Sequence, residues 1–250
     1  MLIEKYKDFD DMFMNLNRKF LLEPQIITNI MSDSGYVENA VIGCKTYNCT
    51  LDLSIFGYTM SKWGHLLKTY INYDNLLNFY DKLHKISGVS YTFYFNQKKV
   101  NNGSCLIAVV LSRKARKSKW TEMKVFYRVT ETQRRMAADL VMLNRFINEL
   151  PKDVCEINHV VFFCNQIYCS AKFINGFYDY FGVPRGRLDY SHQWIRQLKK
   201  DYDKYFQPDS PIHSFQTLAR MQKLALGITK YKPININDLS IKGYFEGGKK

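Results

Sequence analysis

FYRVTETQRRMAADLVMLNRFINELP, Phe126 to Pro151, carries two periodicities back to back. Lys124 to Val129 is β-rich and holds Arg128 near its end. From Thr130 onward, Met136, Leu140, Leu143 and Ile147 recur at three- and four-residue steps, the spacing of one buried helix face. Thr130 with Gln133 three residues later fits a capping box, which predicts a strand handing over to a helix at that point. Arg128, Glu131 and Asp139 then surround one strand-to-helix junction, where polar groups can converge on a small ligand. The same pattern also describes a capped core helix with solvated charges.

Working outward, both flanks read as strands. Upstream, Ser104 to Ser112 (SCLIAVVLS) is a continuous apolar run typical of a strand buried on both faces. Val89 to Asn96 (VSYTFYFN) has the β-branched and aromatic density of another. Asn101-Asn-Gly103 marks the turn between them, and the basic segment Arg113 to Lys119 forms a hairpin loop before the central strand. Downstream, Ile157 to Cys164 (INHVVFFC) reads as a buried strand. Asn165 to Tyr180 resumes helical spacing with Tyr168, Ala171, Phe173 and Phe177.

Toward the N-terminus, residues 4 to 21 read as a helix with Phe9, Met12, Phe13, Leu16 and Phe20 on its core face. Pro24 to Thr50 is β-leaning around Ala40 to Cys44, and Leu51 to Gly57 reads as a strand or loop edge. Trp63 to Tyr70 and Tyr73 to Ile86 read as helices, the second burying Leu76, Leu77, Phe79, Tyr80 and Leu83. Beyond Pro184, Trp194 to Phe206 and Ser214 to Gly227 are helical, and the tail from Lys230 is irregular. The fold class expected is α+β, a mixed β-sheet with helices packed on it. Residues 1–190 form the main domain and 191–250 a C-terminal helical extension with an irregular tail.

Composition narrows the function classes. The chain of 250 residues is 46% hydrophobic and 24% charged, a globular balance with enough length for a sizeable core. A formal charge of +13 favours an anionic partner such as a nucleotide or nucleic acid. No apolar run approaches a bilayer span and the N-terminus lacks a signal-peptide core, so the expectation is a cytoplasmic protein without a membrane partner. Six cysteines, at 44, 49, 105, 155, 164 and 169, show no paired C-x-x-C spacing. Reduced thiols are expected, and no metal site.

Four features of the middle stand in a telling order: Cys105 opening a strand, Arg128 after the hairpin, Asp139 eleven residues on, and Gln166-Ile-Tyr168 after the next β run. This order and spacing, over roughly residues 50 to 180, resembles the thymidylate synthase superfamily and within it the bacteriophage deoxycytidylate hydroxymethylases. The resemblance implies that Cys105 is a nucleophile, Arg128 binds the nucleotide phosphate and Glu131 is the acid three positions after it. Asp139 stands where the family has Asn in uracil-specific members and Asp in cytosine-specific ones. Gln166 and Tyr168 match an H-x-Y motif that meets the deoxyribose hydroxyl. Phe56-Gly57 with Trp63 is similar to a Tyr-Gly…Trp segment, and Asp52 falls at the acidic catalytic position. The sequence departs from the family at Val110, where a Gln is expected, and at Gln166, where a His is. The paired arginines before the nucleophile are absent, and the hairpin is three residues longer.

What the resemblance implies is a pyrimidine nucleotide substrate, 5,10-methylenetetrahydrofolate as one-carbon donor, a homodimer, and viral DNA base modification as a setting. The chemistry can be stated from first principles. A pyrimidine C5 becomes nucleophilic once a thiolate adds to C6, which requires an electropositive setting around the cysteine. A second reading uses the charge alone. Arg113, Arg116, Lys117 and Lys119 in the hairpin, and Arg185 and Arg187 further on, are interleaved with aromatics and suit a nucleic-acid backbone with stacked bases. A catalytically inactive scaffold on the same fold is a third.

Overall fold

A computed structural model describes residues 1–22, 26–31, 34–96, 105–132, 134–170, 234 and 238–247. The elements are β1 (Leu2–Tyr6), α1 (Phe9–Leu22), β2 (Asn29–Met31), β3 (Ser34–Cys44), a 3-10 turn (Leu53–Phe56), α2 (Met60–Tyr70), α3 (Tyr73–Lys85), β4 (Ser90–Tyr94), β5 (Leu106–Ser112), β6 (Trp120–Glu131), α4 (Arg134–Asn148), β7 (Cys155–Ser170) and α5 (Ile241–Gly247). One seven-stranded sheet runs in the order β1-β3-β7-β6-β5-β4, with β2 also paired to β3. It is mixed: β1 with β3 and β6 with β7 are parallel, the other pairs antiparallel. A parallel pair needs a crossover, and α4 supplies it between β6 and β7. The architecture is α+β.

The pairing register shows which face is buried. Phe93, Val109, Val125, Phe162 and Ile42 are cross-strand neighbours in one row. All five are at most 3% exposed. Phe9 of α1 packs edge-on against Phe162, while Phe79 of α3 and Phe146 of α4 pack against Phe93. Each such aromatic contributes about 1.5–3 kcal/mol by leaving water. One residue along, on the opposite face, Ile3, Val41, Phe163, Phe126, Ala108 and Tyr94 form a second row. Ile3 and Tyr94 are largely exposed, and Val41, Phe126 and Phe163 partly so. Among the described residues, helices therefore cover one face. For that reason Ile107 emerges at 37% exposure, and β5 is not buried on both faces as its apolar run predicts.

Other expectations need correction. The predicted N-terminal helix is a strand followed by a helix, although its stripe of Phe9, Met12, Phe13, Leu16 and Phe20 is wholly buried. β6 continues past Arg128 to Glu131, so Thr130 is a strand residue and not a helix cap. Thr130 pairs with Ile167 and Glu131 with Tyr168, and the Thr132 amide donates to the Tyr168 carbonyl. Sheet pairing on that side outweighs the local capping signal. Asn165 to Ser170 likewise belongs to β7, held between β3 and β6, where a helix was expected. Leu51 to Gly57 is the 3-10 turn, and Leu77 faces outward. Asn101 to Gly103, the expected domain boundary at 190 and the two helices expected between 194 and 227 lie outside the described residues.

The tail, expected to be irregular, contains α5. Glu149, just beyond α4, accepts from the Ser240 hydroxyl and the Ile241 and Lys242 amides, and so caps it. Tyr73 stacks on Phe245 at 4.8 Å. Gly64 of α2 lets α5 approach closely, because a Cβ there would collide with the Tyr244 ring. Leu239 and Ile241 join the main core.

Candidate functional site

At the junction where β5 begins and β6 ends, side chains from two elements, β6 and α4, act on one thiol. A register shift between Leu106 and Ala108 bends β5 at its start, and the Arg128 amide donates to the Cys105 carbonyl at 2.9 Å. Cys105 is half-buried. Burial raises its pKa, and the Asp139 charge adds to this. Arg135 and Arg128 pull it down, and Glu131 pushes it up again. In the free protein Cys105 is therefore a thiol.

Asp139, in the second turn of α4, is fully buried and neither carboxylate oxygen has a partner in hydrogen-bond geometry. Burial raises its pKa to about 7, with Arg135 and the nearby Tyr70 hydroxyl opposing the rise. Tyr127, also buried, lies close enough to Asp139, Cys164, Tyr70 and Cys105 to have its pKa raised by them after burial itself. Tyr168 stacks on Tyr36 at 5.1 Å and sits across from Glu131 in the sheet. Its pKa rises to about 12 through burial, then Glu131 and Cys105. Gln166 is half-buried between Glu38 and Val129 in register. Cys105, Glu131, Asp139 and Tyr168 are thus neighbours, with Arg128 at the exposed rim.

Beside this cluster a cleft of about 640 Å³ opens between α2 and the start of α4. One wall is Ser61, Lys62, His65, Leu66 and Thr69; the other is Arg134 and Arg135, with Tyr58 and Glu131 completing it. The Arg134 guanidinium lies over the Tyr58 ring at 5.1 Å, and its Nε is buried without a partner. Arg135 lies within electrostatic reach of Tyr70, Asp139, Tyr58 and Cys105, so one residue links the cleft to the thiol. None of Lys62, His65, Arg134 or Arg135 was a sequence candidate. Their signals were present: an arginine pair four and five residues after the expected helix start at Thr130, and Lys62 and His65 three apart on α2.

The remaining candidates lie elsewhere. Asp52 is the N-cap of the 3-10 turn, its Oδ1 accepting from the Ser54 amide, the Ser54 hydroxyl and the Ile234 amide. Gly57 ends that turn at φ 78°, a left-handed conformation suited to glycine. Arg113 donates to the Ile86, Gly88 and Ser118 carbonyls and stacks on Trp120. Lys119 pairs with Glu156, while Arg116 and Lys117 are exposed. Arg185 and Arg187 lie outside the described residues. All six cysteines are free. Among the described residues no group of three or more His, Cys, Asp or Glu is placed to hold a metal, and no helix is long and apolar enough to cross a membrane.

No family model matches the sequence, and no curated protein matches it. Among solved structures the chain is similar to the thermostable thymidylate synthase A from Bacillus subtilis. The two share 10% identity with a TM-score of 0.43, covering 73% of this chain and 86% of that one.

Proposed function

We propose that the chain binds a pyrimidine deoxynucleotide at the Cys105–Asp139 cluster and activates its C5 for one-carbon transfer, in the manner of a deoxycytidylate hydroxymethylase or nucleotide methylase. The observation that carries the reading is the convergence on the Cys105 thiol of Asp139, Arg135, Arg128 and Glu131, from β6 and α4. Cys105 would give its proton to solvent, the thiolate would add to C6, and the C5–C6 π pair would move onto C5, leaving it electron-rich. Arg135 and Arg128 favour the thiolate, and an Asp139 carboxylate occupied by the cytosine amine opposes it less than a bare one. Arg128 meets the phosphate, Tyr168 and Gln166 the sugar, and Glu131 the ring edge or an ordered water. Asp52, with Oδ1 already accepting three hydrogen bonds, has Oδ2 to offer a proton relay.

Asp139 reads the base. An ionised carboxylate only accepts, so it favours the cytosine amine over the uracil O4, whereas an amide suits the uracil edge. The one-carbon donor implied by the sequence resemblance, 5,10-methylenetetrahydrofolate, fits the described residues poorly. The cleft offers only Tyr58 and Leu66 as apolar walls for a pterin, beside cations and hydroxyls that suit an anion.

A homodimer in the cytoplasm, of the host if the source is viral, completes the reading. The row of Ile3, Val41, Phe163, Phe126 and Tyr94, on the sheet face that no described helix covers, supports such an association, with Phe126 and Phe163 stacked at 5.1 Å. Sedimentation of Phe126→Glu as a monomer, beside a wild-type dimer, is the expected result.

The deciding assay is release of the C5 hydrogen from deoxycytidylate and deoxyuridylate, with binding of both measured by calorimetry. Cys105→Ser should abolish release and spare binding. Asp139→Asn should shift preference toward deoxyuridylate by about tenfold, the scale of one buried hydrogen-bonding group left unpaired. Equal treatment of the two bases by wild type and Asp139→Asn rules out Asp139 as the base reader.

A further inference from the structure

The cleft between α2 and α4 is a cationic cavity that the residues of the nucleotide reading do not fill. Lys62, Arg134 and Arg135 face it with a permanent positive charge and Glu131 with a single negative one, so its net charge is positive even with His65 neutral. Two separate elements supply the cations, which therefore converge from opposite walls. Ser61 and Thr69 add hydroxyls to the lining. Among the described residues the buried Arg134 Nε–H has no acceptor, a state that costs free energy unless something occupies the site. At about 640 Å³ the cavity admits a nucleotide-sized molecule.

We infer that this cleft is a phosphate-binding subsite, in which Arg134 and Arg135 grip the phosphate group of a phosphate monoester from one side and Lys62 from the other. Arginine forks match tetrahedral oxyanions through paired hydrogen bonds, and lysine adds a point charge. A tetrahedral dianion accepts from several directions at once, as donors on opposite walls require. A flat carboxylate satisfies one fork and leaves the facing lysine unanswered. The subsite is distinct from the exposed Arg128 at the rim, and it stands whether or not Cys105 performs chemistry. Arg135 gives it a consequence: a phosphate seated there draws the guanidinium's field away from Asp139 and Cys105.

Calorimetry on the full chain in a Cys105→Ser background tests this. The titrants are a deoxynucleoside 5′-monophosphate, its unphosphorylated nucleoside, inorganic phosphate and succinate. The expected result is saturable binding of the monophosphate and of inorganic phosphate, with nucleoside and succinate at least tenfold weaker. Arg134→Gln and Arg135→Gln should each weaken phosphate binding at least tenfold, and Lys62→Gln several-fold. Lys45→Gln, on an exposed loop away from the cleft, should match the parent. Arg134→Lys and Arg135→Lys keep the charge and guard against misfolding, which thermal unfolding of each variant monitors; they should retain intermediate affinity. Unchanged phosphate affinity in both glutamine variants overturns the inference, and so does succinate binding as tightly as phosphate. Phosphate binding that depends on these arginines without any C5 hydrogen release from the Cys105 protein would refute the catalytic reading and leave the subsite standing.

Discussion

The two ends of β6 hold their charged and polar groups in opposite ways. At the hairpin end, Arg113 donates to three carbonyls and stacks on Trp120 at 4.2 Å, and the Trp120 indole donates to the Leu83 carbonyl. Ser118 both donates to and accepts from Ala115. At the other end, among the described residues, the hydroxyls of Thr130 and Thr132 and the Nε of Arg134 are buried without partners, and the buried Asp139 carboxyl faces the Tyr70 hydroxyl and Arg135 without a well-aligned hydrogen bond to either oxygen. Native proteins satisfy buried polar groups almost completely, so a local concentration of exceptions marks where something other than stability set the residues. One end of the strand is built to hold the fold. The other is where the ligand proposed above would sit.

The largest effect should come from the satisfied end. Trp120 is fully buried, and Trp120→Ala removes its packing, its indole hydrogen bond and the platform beneath Arg113. A loss of about 3–5 kcal/mol in denaturant unfolding is expected. A loss under about 1 kcal/mol would show that the hairpin end contributes little to the fold.

Asp139→Asn comes next, with the opposite sign. The wild-type carboxyl has a folded pKa of about 7 against an ordinary value of 3.8. Between those values the folded state binds more protons than the unfolded one, so its contribution to stability is most favourable below about pH 4. It declines as pH rises to about 7 and levels off beyond, by on the order of 4 kcal/mol in all. Asp139→Asn should therefore flatten this slope and stabilise the protein at pH 8 by about 2–3 kcal/mol, since the amide remains imperfectly paired. At pH 4 the two proteins should unfold alike. A wild-type stability that rises from pH 4 to 7 more steeply than that of Asp139→Asn would place the carboxylate in a satisfied site after all.

Arg113→Lys is smaller. It keeps the charge but loses the fork that reaches the Ile86 and Gly88 carbonyls together, at a cost of about 1–2 kcal/mol. An unchanged thermal midpoint would mean that the charge near Trp120 suffices and the fork does not matter.

How much of this was legible in the sequence differs between the same two ends. The strands β4, β5 and β6, the helices α2, α3 and α4, and the stripe of α1 follow from spacing and β-rich composition, even though α4 is buried on nearly every side. The junction after Arg128 did not, since Thr130 and Glu131 suit a cap and a strand equally, and only pairing with Ile167 and Tyr168 decides. The spacing led to the expectation that Cys105, Arg128, Asp139 and Tyr168 line one pocket; none of the four lines the cleft, although Cys105, Arg128 and Asp139 lie within electrostatic reach of one another and Tyr168 of Cys105. The cleft was not foreseen, because Lys62 and His65 lie about seventy residues from Arg134 and Arg135, and nothing local links the two walls. Arg113 read as a free surface cation for the same reason: its three carbonyls belong to a loop 25 residues upstream and to its own hairpin.

The smallest effects give the cleanest contrast, because they remove the same atom at both ends of β6. Ser118→Ala deletes a hydroxyl that is hydrogen-bonded in both directions to Ala115, which should cost about 1 kcal/mol. Thr130→Val deletes a hydroxyl that is buried at 1% exposure with no partner, in a strand where a β-branched residue fits equally well. An unsatisfied hydroxyl was stripped of water on folding and received nothing in return, so its removal should be neutral or stabilise by up to about 1 kcal/mol. Urea unfolding of both variants at pH 7 reads the difference directly, because neither substitution alters a titrating group. Opposite signs are what a structural end and a ligand-directed end require. If Thr130→Val instead costs as much as Ser118→Ala, the Thr130 hydroxyl has a partner in solution, and the junction is a satisfied core like the hairpin end.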